Sequence, residues 1–255
     1  MNELINYTLH LADNSLILGH RNSEWTGHGP VLEQDIAISN IALDLIGQAR
    51  NFYQYAALLI NQSTNQPATE DTLAYLRDAN EFKNCLLVEL TNGDWAKTIL
   101  RQLFFSAYQY FLYQQLQNSK DEAIAAIAEK SLKEVTYHLR WSSEWVIRLG
   151  DGTDESHARM MKAVDELWVY KDEMFEAAGY ELTAASEGYG VDVTLLKNDW
   201  TKKIKAVFDE AMIPFPADEK TGVRWFGKEG KHSEHLGYIL AELQFLQRAY
   251  PNSDW

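Results

Sequence analysis

The chain has 255 residues, 46% hydrophobic and 24% charged, enough to build one large helical domain around a proper core. Its formal charge of −14, from 23 basic against 37 acidic residues, repels phosphate backbones and argues against nucleic acid as a partner. One cysteine, Cys85, permits no internal disulfide, and no apolar run approaches the length of a membrane span. The opening MNELINYTLHLADNSLIL has acids where a leader peptide needs bases, so the expectation is a cytoplasmic protein without a membrane partner.

In chain order, Leu4, Ile5, Leu9, Leu11, Leu16 and Ile17 recur near helical spacing and predict a first helix over 2–19. Gly27-His28-Gly29-Pro30 breaks it, and Pro30 suits the first position of a second helix running to about residue 60. Ile36, Leu43, Ile46 and Ala57 are its expected buried residues. The polar stretch 61–69 reads as a loop, 71–77 and 82–87 as short helices, and 95–118 as a third long helix dense in Phe, Tyr and Leu. Further helices are predicted over 121–149, 153–178 and 195–212. An extended stretch with Pro214, Pro216, Gly222, Gly227 and Gly230 then leads to a last amphipathic helix over 233–250. No alternating strand pattern, repeat or linker interrupts this series. The expected architecture is all-α, a single domain over 1–255 built as a bundle of long helices with additional C-terminal helices.

Long helices with inward polar residues raise a di-metal carboxylate site as the first chemical hypothesis. Such a site needs a Glu from each of two helices and Glu-x-x-His from each of two others, because residues three or four apart share a helix face. The third long helix contains no Asp or Glu between Trp95 and Lys120. On the second helix, the position three before Gln48 is Leu45, with Asp44 one residue earlier. On the fourth, Val135 stands three before His138, and Glu134 four before it. Asp44, Gln48, Glu134 and His138 are therefore expected to be inward-facing, structural remnants of a metal site, with no metal held.

Other patterns carry less chemistry. Asp154-Glu155-Ser156-His157 follows a glycine turn and reads as helix capping. Glu229-Gly230-Lys231-His232, followed by Glu234 and His235, could bind zinc through His232 and His235, although Gly230 disrupts the helix such a site would need. Cys85 reads as a buried thiol. Phe104, Phe105, Tyr108, Phe111 and Leu112 form a core or interface stripe, and Arg140, Trp141, Trp145 and Arg148 offer a cation–π face.

The runs LHLADNSLILGHR (9–21), LDLIGQARNF (43–52), KEVTYHLRWSSEW (133–145), RLGDGTDES (148–156) and HSEHLGYILAELQFLQR (232–248) resemble the C-subunit family of the multicomponent phenylacetyl-CoA epoxidase. The resemblance spans nearly the whole chain. It implies a ferritin-like bundle in aerobic bacterial phenylacetate catabolism, where a related A subunit holds the di-iron centre and a reductase supplies electrons. It further implies a non-catalytic structural role for this chain, no cofactor of its own and a hetero-oligomer with the catalytic A subunit. A homodimer is the expected state in isolation. A self-sufficient di-metal oxidase and a freestanding scaffold with zinc at His232 and His235 are the competing readings.

Overall fold

The computed structural model describes residues 2–64, 67–217, 226–251 and 253. The described residues form eleven α-helices and no strand: α1 (Asn2–Ser23), α2 (Leu32–Ser63), α3 (Glu70–Tyr75), α4 (Leu86–Glu89), α5 (Trp95–Leu116), α6 (Glu122–Gly150), α7 (Asp154–Leu167), α8 (Gly179–Glu187), α9 (Leu196–Glu210), α10 (Glu234–Leu243) and α11 (Phe245–Ala249). The fold is all-α, as a ferritin-like helical bundle requires. The chain divides into two compact units, one of residues 1–91 with 225–255, the other of 92–224.

In the first unit α1 and α2 pack as a helical hairpin. Gly19 makes their close approach possible, since a Cβ there would come within 3.2 Å of the Leu45 Cβ and the Ala42 carbonyl. The connection is pinned by Asp35, whose carboxylate accepts the Gly27 amide at 2.9 Å, with Gly27 in the left-handed region at φ 84°. The helix begins at Leu32, not Pro30, which leaves Pro30 in the loop. Its buried face is Ile38, Ile41, Leu45, Phe52, Ala56 and Leu59. Ala57 is buried as expected, but Ile36, Leu43 and Ile46 are exposed. The helix is apolar on two faces, and periodicity does not say which of them meets the core.

Helices α3, α4, α10 and α11 complete this unit. The expected single C-terminal helix is interrupted at Gln244, whose side-chain amide turns inward to donate to the carbonyls of Arg77 (2.9 Å) and Ala74 (3.2 Å). Gly222 and residues 65–66 of the predicted loop lie outside the described residues.

In the second unit α5 and α6 form another hairpin, with α7 and α9 against α5. Asp94 and Asp121 cap the two long helices by accepting the amides of Lys97 and Ile124, both at 3.0 Å. Phe104, Phe105, Tyr108 and Leu112 are core residues. The predicted helix over 153–178 stops at Leu167 because Trp168 turns into an aromatic cluster with Phe104, Trp200 and Phe215, at centroid distances of 5.8, 6.1 and 5.1 Å. Two short 3₁₀ turns follow before α8 begins. Thr153 and Ser156 form a capping box, so the acidic run before His157 does serve the helix start.

Candidate functional site

Asp44 and Gln48 occupy α2 in the first unit, Glu134 and His138 occupy α6 in the second. Gln48 and His138 are buried, and Asp44 and Glu134 are half-buried. The neighbouring positions decide the chemistry. Leu45 and Val135 are both completely buried and apolar, with no atom able to ligate a metal. Helix α5 has no carboxylate anywhere in its length. Among the described residues no group of three or more His, Cys, Asp and Glu could hold a metal ion. These side chains do not fit a di-metal centre, which needs several oxygen ligands converging from different helices.

The densest buried polar chemistry lies elsewhere in the first unit, around two carboxylates. Asp13, on α1, is fully buried and accepts from the Tyr53 hydroxyl at 2.6 Å, the Lys83 amide at 2.8 Å and both terminal nitrogens of Arg77. Burial first, and the Asp13 charge second, push the Tyr53 phenol well above its ordinary range, which keeps the proton on the oxygen that Asp13 needs. Burial opposes the Arg77 charge, but Asp13 beside it outweighs burial and holds the guanidinium protonated. Arg77 also lies over the Phe82 ring, 4.2 Å from its centroid.

Asp13 is one of three polar side chains on a single face of α1. His10 donates to the Lys83 carbonyl at 2.7 Å, and the Asn14 side chain accepts the Cys85 amide at 2.8 Å. The spacing of three and four residues puts them in register with consecutive backbone groups of an extended segment, supplying the partners that a helix or sheet would otherwise provide. Cys85 is buried within this segment.

The second carboxylate, Glu89, ends α4 and is also fully buried. It accepts from Asn84 at 2.9 Å, from His232 at 2.8 Å, and from the amide and hydroxyl of Ser233, both at 2.7 Å. Arg21 binds the Glu89 carbonyl through two nitrogens at 2.9 and 3.1 Å. His232 places its Nδ1 against Glu89 and its Nε2 2.9 Å from the Phe82 carbonyl. Both ring nitrogens therefore face acceptors, and only the imidazolium satisfies both. Burial alone would lower the His232 pKa, but the Glu89 hydrogen bond and charge, with the Phe82 carbonyl, raise it. The zinc expectation at His232 and His235 finds no ligand set, because both ring nitrogens of His232 are engaged within the protein and among the described residues no group of three or more His, Cys, Asp and Glu could hold a metal ion. His235 instead uses its backbone amide in the cap made by the Ser233 hydroxyl.

Sequence reasoning passed over Asp13 and Glu89. Each stands inside an otherwise apolar run, LHLADNSLIL and LLVEL, where a lone acid signals a buried network. The arrangement can fix the α1–α2 hairpin, the 82–89 segment and the 232–233 turn together. With every carboxylate oxygen saturated by internal donors, it offers no free group for acid–base or nucleophilic work.

The family model described as phenylacetic acid catabolic protein matches residues 1–255. A curated relative from Escherichia coli (strain K12), the C subunit of 1,2-phenylacetyl-CoA epoxidase, is 46% identical over 255 residues, covering the whole of both chains. An all-α fold with two hairpins of long helices and a full-length match of this quality identify the chain as a member of the phenylacetic acid catabolic protein family.

Proposed function

We propose that this chain is the C-type subunit of a phenylacetyl-CoA epoxidase and that it supports ring epoxidation without holding the metal centre. The observation that carries the reading is the pair Leu45 and Val135, fully buried apolar residues three positions before Gln48 and His138. A metal-bearing relative would need a carboxylate at each. The name of the 46% identical relative supports the assignment to the epoxidase complex. The partner is a related catalytic A subunit that holds di-iron and receives electrons from a reductase. The complex is a cytoplasmic hetero-oligomer, and this chain needs no cofactor of its own.

Elemental analysis and turnover assays test the division of labour. The chain purified alone is expected to hold no stoichiometric iron, manganese or zinc and to leave phenylacetyl-CoA unchanged with a reductase present. Adding the A subunit is expected to give turnover, and His138→Ala to leave that turnover intact wherever the complex still assembles. Two metals per chain, or epoxidation without the A subunit, would return the protein to the class of self-sufficient di-metal oxidases.

A further inference from the structure

Helix α3 and the segment from Gln247 to Pro251 enclose a cleft of about 420 Å³, the size of a small-ligand pocket. Asp71, Tyr75 and Leu76 line it from α3, and Gln247, Tyr250 and Pro251 from the end of the chain. The lining holds a carboxylate, an amide and two phenol rings, and no positive charge.

These groups leave particular chemistry unmet. Asp71 makes no ion pair with any described residue, because the neighbouring cations are engaged elsewhere. Arg50 pairs with Glu70 at 3.5 Å, and Arg248 donates to Asp78 at 2.9 Å and to the carbonyls of Leu76 and Arg77. The Gln247 side-chain oxygen is buried and accepts from no described residue. The terminal torsion of glutamine is soft, so that oxygen can turn toward a donor entering the cleft. Burial first, and the Asp71 charge second, raise the Tyr75 pKa, so this phenol stays neutral beside the carboxylate.

Three classes of ligand fare differently here. An anion meets the Asp71 charge with nothing in the lining to offset the repulsion. A neutral apolar molecule covers Asp71 and Gln247 without giving either a donor, which is unfavourable. A cation on an aliphatic arm satisfies both: its N–H groups donate to the carboxylate and the amide oxygen, and its charge lies against the Tyr250 ring. Its methylenes cover Leu76 and Pro251. The planar fork of a guanidinium serves two oxygen acceptors at once better than a single ammonium point charge.

We propose that this cleft binds an organic cation, a guanidinium on a short aliphatic arm. The group arrives either as a free small molecule or as an arginine side chain of another subunit. The proposal does not rest on the epoxidase reading.

NMR titration of the full chain with n-butylguanidine tests it. Binding should saturate with a dissociation constant of about 1 mM, as suits so small a ligand. n-Butylurea, of the same shape but uncharged, should bind at least about 10-fold more weakly. Asp71→Asn should weaken butylguanidine by about 10-fold with unchanged helical circular dichroism. Tyr250→Ala should weaken it several-fold, and Tyr250→Phe, which keeps the ring, should not. Glu210→Gln removes an exposed acid from the other compact unit and should change nothing, which separates the cleft from the general attraction of a chain of charge −14. Adding the catalytic partner subunit identifies the source of the cation. Loss of butylguanidine binding assigns the cleft to a partner arginine, and retained binding to a free molecule. The proposal is overturned if binding does not saturate by about 20 mM, some 20-fold above the expected constant. Butylurea binding as tightly as butylguanidine, or Glu210→Gln weakening it as much as Asp71→Asn, would overturn it equally.

Discussion

A carboxylate sealed from water is tolerable only while each oxygen has a donor, and Glu89 meets that condition partly through His232, 143 positions away. The price of this arrangement is a pH dependence. Unfolded, His232 titrates near the ordinary value of about 6.5. Folded, its raised pKa means that the native state binds the proton more tightly. Its contribution to stability is complete below about 6.5 and fades as pH rises through the higher folded value. His20 acts in the opposite sense. Burial lowers its pKa, with Glu24 partly countering, so it costs stability as pH falls below about 6.5. Urea unfolding from about pH 5 to 9 should therefore give a maximum near about 6.5. His232→Gln should lower stability most on the acid side and flatten the alkaline slope. An alkaline slope identical to wild type would place the proton uptake on another group.

The helices show why one substitution has no fixed effect. Gly150 and Gly47 both lie in long helices, yet a Cβ at Gly150 would sit 2.4 Å from the Ala211 carbonyl, whereas at Gly47 it meets open space. Gly47→Ala should stabilise the fold of the single chain by about 0.5–1 kcal/mol through helix propensity. Gly150→Ala should destabilise it by about 1–3 kcal/mol, since α6 or the 211–213 turn must shift. Melting temperatures moving in opposite directions would check the pair; movement in the same direction would contradict the packing at Gly150. Helices were also the most legible level of the sequence. Proline and glycine spacing placed most of the long elements within a few residues, and Asp94, Asp121 and Thr153 gave helix starts, but the helix from 153 ends at Leu167, where no proline or glycine marks the stop, and not at 178. The wrong face was assigned to α2 because Ile36, Leu43 and Ile46 obey the same period as Ile38, Leu45 and Phe52. The buried networks escaped because Asp13 meets Arg77 across 64 positions, and Glu89 meets His232 across 143, distances at which no local pattern reports a contact.

At the level of the molecule, one compact unit is discontinuous in sequence: residues 1–91 are completed only by 225–255. Truncation after residue 224 removes His232 and Ser233 from Glu89, and Gln244 from the Arg77 carbonyl. The acid left buried with too few donors should cost the first unit about 3–5 kcal/mol. Hydrogen exchange on the truncated chain should show α1, α2 and α4 losing protection while α5, α6 and α9 keep theirs. Equal loss in both units would mean that the two unfold as one.

The same discontinuity matters on the ribosome. Between the appearance of Glu89 and that of His232 the ribosome adds 143 residues, about 7–29 s at about 5–20 residues per second. Throughout that interval the nascent first unit holds an acid whose counter-charge does not yet exist, while 92–224 can already complete its own core. The middle of the chain is thus free to fold before the beginning, and the last thirty residues act as the latch that lets the first ninety close.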